Sequence, residues 1–128
     1  LRSGLFSFTR VSNKPLFITL SFLIWGLYFL MVYLCFFALA STSGLSVSAG
    51  LTLLAVGSLG IAAPVPGGLG TYHFLTILTL TELYSIASEA AFSYAFISHF
   101  TQTMVIILFG SLGWLFLTLK GRKDIAAQ

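Results

Sequence analysis

Between Lys14 and Glu82 the chain carries no charged side chain, and nothing constrains its folding more than this. A stretch of that length crosses a bilayer more than once at about 20 residues per helical span. In hydrocarbon every backbone N–H and C=O has to be paired. The stretch is therefore helical, or, where helix fails, buried in protein or set against a water-filled cavity. Only 7% of the residues are charged, against roughly a quarter in a soluble domain, so the soluble classes drop out.

The cations lie at the two ends: Arg2, Arg10 and Lys14, then Lys120, Arg122 and Lys123. A net charge of +3 distributed in this way reports topology and not nucleic-acid binding. Basic residues flanking spans stay on the cytoplasmic side, so both ends are expected there, with an even number of crossings. The basic start followed by an apolar run is reminiscent of a secretion signal. Pro15 to Ala40, however, far exceeds a signal core of roughly 7 to 15 residues, which predicts a permanent span. Leu1 in place of methionine, and the small set of helices, predict the C-terminal part of a larger bundle whose N-terminal helices are partners of this chain. The expected organisation is a basic flank at 1–14, a transmembrane helical domain at 15–119 and a cytoplasmic tail at 120–128. Cys35, the single cysteine, has no internal disulfide partner and reads as a small packing residue.

Segment Pro15 to Ala40 is apolar on every face and predicts a full crossing. "STSGLS" (Ser41 to Ser46) is a polar turn. In Val47 to Ala63 the bulky residues give way to Gly50, Gly57, Gly60, Ser48, Ser58 and alanines, a texture that lets helix backbones approach closely. "PVPGGLG" (Pro64 to Gly70) then stops the helix, because proline removes donors and glycine permits positive φ. Helix resumes over Thr71 to Tyr84, which reaches only about 21 Å, short of the roughly 30 Å hydrocarbon core. After the turn "SIAS" (Ser85 to Ser88), with Ser88 as expected N-cap and Glu89 in the first turn, a long helix runs from Glu89 to Leu119. The predicted fold is all-α and membrane-integral: a helical bundle with two full spans and a broken or re-entrant helix pair.

Two topologies keep both ends on one side. Either the pair around Pro64 to Gly70 dips in and returns, or all four helices cross and "PVPGGLG" is a cytoplasmic turn. The shortness of Thr71 to Tyr84 and the lack of Lys or Arg in the turn favour the re-entrant form. Backbone broken at that depth has to line protein or a cavity, since each unpaired group in hydrocarbon costs several kcal/mol.

The first amides of the helix after the break, around Thr71 to His73, then face the cavity with the positive end of a helix dipole, an arrangement suited to anions. Pro66, Gly67, Gly68, Gly70 and Thr71 shape the break. Tyr72 and His73 offer a hydroxyl and an imidazole, although a hydrogen bond between His73 and a neighbouring helix accounts for that residue equally well. Ser98, His99 and Gln102 share one helix face and point to the bundle interior, for packing or for a pathway. The break lacks the lysine of a nucleotide-binding loop, so the expected anion is a lipid phosphate and not ATP. Glu82 reads as an interface marker. No cofactor is implied. No metal-ligand spacing accompanies the histidines, and no local catalytic arrangement is legible.

"PVPGGLGTYH", followed by a short helix, a turn and a long helix carrying "SHFTQTMVIILFGSLGW", resembles the transmembrane-region family of lysylphosphatidylglycerol synthases, also called flippase-like, from about Leu45 to Leu119. Pro66, Gly67, Gly68 and Gly70 match that family's glycine-rich break. Many members follow the break with a basic residue and a glutamate; here Tyr72 and His73 take those places. The resemblance implies a polytopic protein of a bacterial or archaeal-type plasma (inner) membrane that binds, and translocates or helps to translocate, an anionic phospholipid or lipid-linked precursor. Alternatives are the membrane portion of a lipid- or polyprenol-phosphate-modifying transferase, or a packing subunit without transport. The soluble aminoacyl-transferring domain of the named synthases is not part of this sequence.

Overall fold

The first two of the four helices are opened by a capping side chain. The computed structural model describes residues 13–126, with side chains to residue 120. The flank at 1–12 and the side chains of Arg122 and Lys123 lie outside the described residues. Helix α1 runs Lys14–Leu34, opened by the Asn13 side chain, which accepts from the Leu16 amide at 3.1 Å, and by a proline in the first turn. It tightens into a 3-10 turn at Cys35–Ala38, two residues before the expected end. The buried Thr42 hydroxyl fastens the following turn by donating to the Phe36 carbonyl at 2.8 Å.

Helix α2, Val47–Ala62, is capped by Ser46, whose hydroxyl accepts from the Ala49 amide. It ends at Ala63, held extended as the residue before a proline is. Helix α3 spans Thr71–Tyr84 and closes on Ser85 in the left-handed region at φ 53°. The Ile86 amide then donates to the Leu80 carbonyl. Helix α4 runs Ser88–Ala126. Ser88 is thus its first helical residue, where the sequence predicts a cap, with Glu89 in the first turn as expected. The helix also continues past Leu119 through "KGRK". A single glycine at 121 costs only about 1 kcal/mol against alanine and does not stop a helix that long.

Two of the helical stretches, Lys14–Ala38 and Ser88–Lys120, are long and apolar enough to cross a membrane. Helices α2 and α3, with 16 and 14 residues, reach about 24 and 21 Å and fall short of the hydrocarbon thickness. The structure is that of an all-α membrane protein with a broken helix pair. Helix α2 packs closely on α3, α3 on α4, and α1 on α2 and the first part of α4. The core comprises Val32, Phe36, Ala49, Leu53, Leu80, Ala91 and Tyr94. Tyr94, 1% exposed, pins α4 to α1 by donating its hydroxyl to the Val32 carbonyl at 2.8 Å.

Glycine sets the closeness of α2 and α3. A Cβ on Gly60 would lie 2.7 Å from the Cα of Tyr72, and one on Gly57 would lie 2.7 Å from the Tyr72 ring. The hairpin these helices form turns back partway along its neighbours. Ile61 and Ala62 share a cavity wall with Trp25 of α1 and Ile106 of α4. From that level Lys14 is about 16 Å away along α1, and Lys120 about 21 Å away along α4. The break thus stops roughly half a hydrocarbon thickness short of the flanking lysines.

Two predictions follow from this packing. Gly60→Ala forces backbone apart and lowers stability by about 1 to 3 kcal/mol, whereas Gly110→Ala, with open space around it, is neutral or slightly stabilising; thermal unfolding of the detergent-solubilised protein separates the two. With Cys35 first replaced, Leu69→Cys reacts at least about tenfold more slowly with an impermeant thiol reagent than Lys120→Cys, since only the latter lies at the level of the basic ends. Equal rates would make the break a surface bend.

Candidate functional site

Most of the polar groups of the break are bonded within the loop or to its neighbours, whereas the first amides of the helix that follows are not. Val65 donates its amide to Ala63, Gly68 to Val65 and Leu69 to Pro66. The Thr71 hydroxyl lies against the carbonyls of Gly60 at 2.6 Å and Gly68 at 3.1 Å, tying the start of α3 to the end of α2. His99 Nε2 meets the Gly67 carbonyl at 3.1 Å. A carbonyl only accepts, so that ring nitrogen carries the hydrogen. Three left-handed glycines, at φ 63° for Gly67, 67° for Gly68 and 87° for Gly70, make the turn sharp enough for this; L residues rarely adopt that region.

Gly70 stands at the N-cap of α3 with no side chain to cap the helix. Among the described residues no acceptor binds the amides of Thr71, Tyr72 and His73, and the first backbone bond of the helix runs from Phe74 to Gly70 at 2.8 Å. These are the donors that a helix start leaves over, at the positive end of its dipole.

The structure brings together the side chains that the sequence singled out. The Tyr72 ring stacks on His99 with centroids 4.9 Å apart. His73 meets His99 edge to face at 4.7 Å and packs on Phe96 at 4.3 Å. The two histidines, 26 positions apart in the chain, therefore form one cluster. His73 is 8% exposed and makes no hydrogen bond to any described residue, so the neighbouring-helix hydrogen bond that the sequence left open is not made. The Tyr72 hydroxyl instead bonds Ser98 at 2.9 Å. Close by, the Thr76 hydroxyl is buried without a hydrogen-bond partner.

Not all of the candidates face one way. Ser98 and Gln102 are buried toward α1 and α3, while His99 is partly exposed beside the break. Gln102 lines a cavity of about 310 Å³ with Trp25, Tyr28, Gly57, Ser58 and Tyr72. No sequence signal marks this cavity, because its walls come from all four helices and most of them are apolar. The glycine spacing at 57 and 60 was the one available hint, read there as general packing. Among the described residues no group of three or more His, Cys, Asp or Glu is placed to hold a metal ion.

Residues 2–110 match the model of the lysylphosphatidylglycerol synthase TM region. The chain belongs to that family. The match takes in α1, which carries no motif of its own, and ends within α4, so it starts earlier and stops sooner than the local resemblance suggests. No curated protein and no solved structure matches the chain. For this chain, membership of the lysylphosphatidylglycerol synthase transmembrane family means a membrane-embedded protein with a lipid-related role.

The bond between His99 and Gly67 can be tested apart from any ligand. His99→Phe keeps an aromatic face for Tyr72 but leaves the Gly67 carbonyl without its donor. It should lower stability by about 1 kcal/mol, measured by thermal unfolding, and an unchanged midpoint would show that the carbonyl has another partner.

Proposed function

We propose that this chain binds an anionic phospholipid or lipid-linked precursor at the α2–α3 break and takes part in moving it between leaflets. The observation that carries this reading is the set of donors at the break: three amides at a helix start have no acceptor among the described residues and lie beside the buried imidazole of His73, which is likewise unbonded to them. Donors without acceptors suit a phosphate oxygen, and a helix start favours negative charge. Discontinuous helices with half-helix starts facing a substrate are how membrane transporters hold anionic groups near the midplane. The membrane setting and the family's lipid-related role agree with this, and the basic residues at both ends favour a cytoplasmic location for each.

In this reading Pro66, Gly67, Gly68 and Gly70 keep the backbone thin enough for a headgroup to approach. Thr71 and His99 hold the loop in shape by bonding its carbonyls. The amides of Thr71 to His73 bind the phosphate, His73 adds an imidazole donor, and Tyr72 forms the wall between the headgroup and the bundle interior. Gln102 stands on the far side of that wall.

The test uses the whole protein in liposomes. His73→Ala weakens binding of phosphatidylglycerol relative to phosphatidylcholine by about tenfold or more, the worth of one hydrogen bond to a charged group. Unchanged headgroup preference would remove His73 from the site. Accelerated leaflet exchange of a fluorescent anionic lipid without any added donor substrate supports translocation. Product formation that requires an activated donor would point instead to the membrane portion of a transferase.

A further inference from the structure

The cavity on the inner side of Tyr72 is a second binding feature, distinct from the break. It encloses about 310 Å³ between α1 and the other three helices. Its walls are chiefly apolar, from Trp25, Val32, Leu53, Leu54, Ile61 and Ile106, with Gly57 thinning the α2 side. Into this apolar space faces one amide. Gln102 is only 7% exposed. Its amide reaches the Tyr72 hydroxyl, which is also bonded to Ser98 at 2.9 Å. A carboxamide has two N–H donors and a carbonyl, so at least one donor remains for an occupant of the cavity. Leaving it unpaired in hydrocarbon is costly.

We propose that this cavity receives the ester-linked part of a diacyl lipid, with the Gln102 amide donating to an ester carbonyl and the apolar walls holding the first part of that acyl chain. Three features fit this occupant. The ligand has to offer an acceptor to the amide and hydrocarbon to the greater part of the wall, which describes an acyl ester. Gln102 also lies three residues beyond His99 on α4, an offset of about 4.5 Å along the helix, and the ester carbonyls of a glycerolipid sit only a few bonds from its phosphate. Finally, Tyr72 is common to both places, stacked on His99 beside the break and lining the cavity on its other side. The inference rests on the proposed anion site and narrows its substrate: glycerolipids with ester-linked chains are accepted, and polyprenyl phosphates, which have no ester carbonyl, are disfavoured.

The experiment measures binding of phosphatidylglycerol to the whole protein in nanodiscs of diether phosphatidylcholine, comparing diester and diether forms of equal chain length. Wild-type protein binds the diester form about tenfold more tightly, the worth of one buried hydrogen bond. Gln102→Leu binds both forms equally while keeping its preference for phosphatidylglycerol over phosphatidylcholine. Equal binding of diester and diether phosphatidylglycerol by the wild-type protein overturns the ester site and leaves the anion site standing, and this arm needs no variant that has to fold. Loss of all headgroup preference in the wild-type protein would overturn the anion site and this inference with it.

Discussion

A peptide group in hydrocarbon has no solvent to bond with, and the architecture of this chain is organised by that requirement. Where helix continues, the requirement meets itself through the internal ladder. Where Pro64, Pro66 and the glycines end the helix, other groups have to take over. The carbonyls of Val65, Pro66, Gly67 and Gly68 are covered by loop amides, by the Thr71 hydroxyl and by His99. The amides at the start of α3 are not. These remaining donors are what the proposed anion site uses.

Close packing makes this arrangement stable. Without side chains at Gly57 and Gly60, the backbones of α2 and α3 come near enough for the Thr71 hydroxyl to reach across to Gly60 and for Tyr72 to lie in a slot on α2. Van der Waals contact and interhelical hydrogen bonds hold helices together in a membrane, where apolar burial against lipid adds little. Tyr72 then links the parts of the site. Its ring face meets His99, its hydroxyl meets Ser98, and its flank closes the cavity in which Gln102 stands. The second half of α4, with Ile107, Phe109, Trp114 and Leu117 exposed, makes no such contacts with the other described residues and suits lipid or further helices.

The uncharged run, the basic ends, the two prolines and the glycine spacing were sufficient by themselves to determine a membrane bundle with one interrupted helix pair, and they placed the bounds of α3 correctly. They could do so because hydrocarbon and backbone geometry act locally, residue by residue: charge is excluded, proline ends a helix, and glycine turns the chain. The end of α4 was misjudged at Leu119, since the sequence there holds charge but no true helix breaker. Tertiary structure alone decided that His73 and His99 meet, that Ser98 and not His99 bonds Tyr72, and that Gln102 faces a cavity instead of the break. Those outcomes depend on the crossing of four helices and on which ring fills the space left by Gly57 and Gly60, and a helix periodicity read on one segment holds no information about the distance to the next.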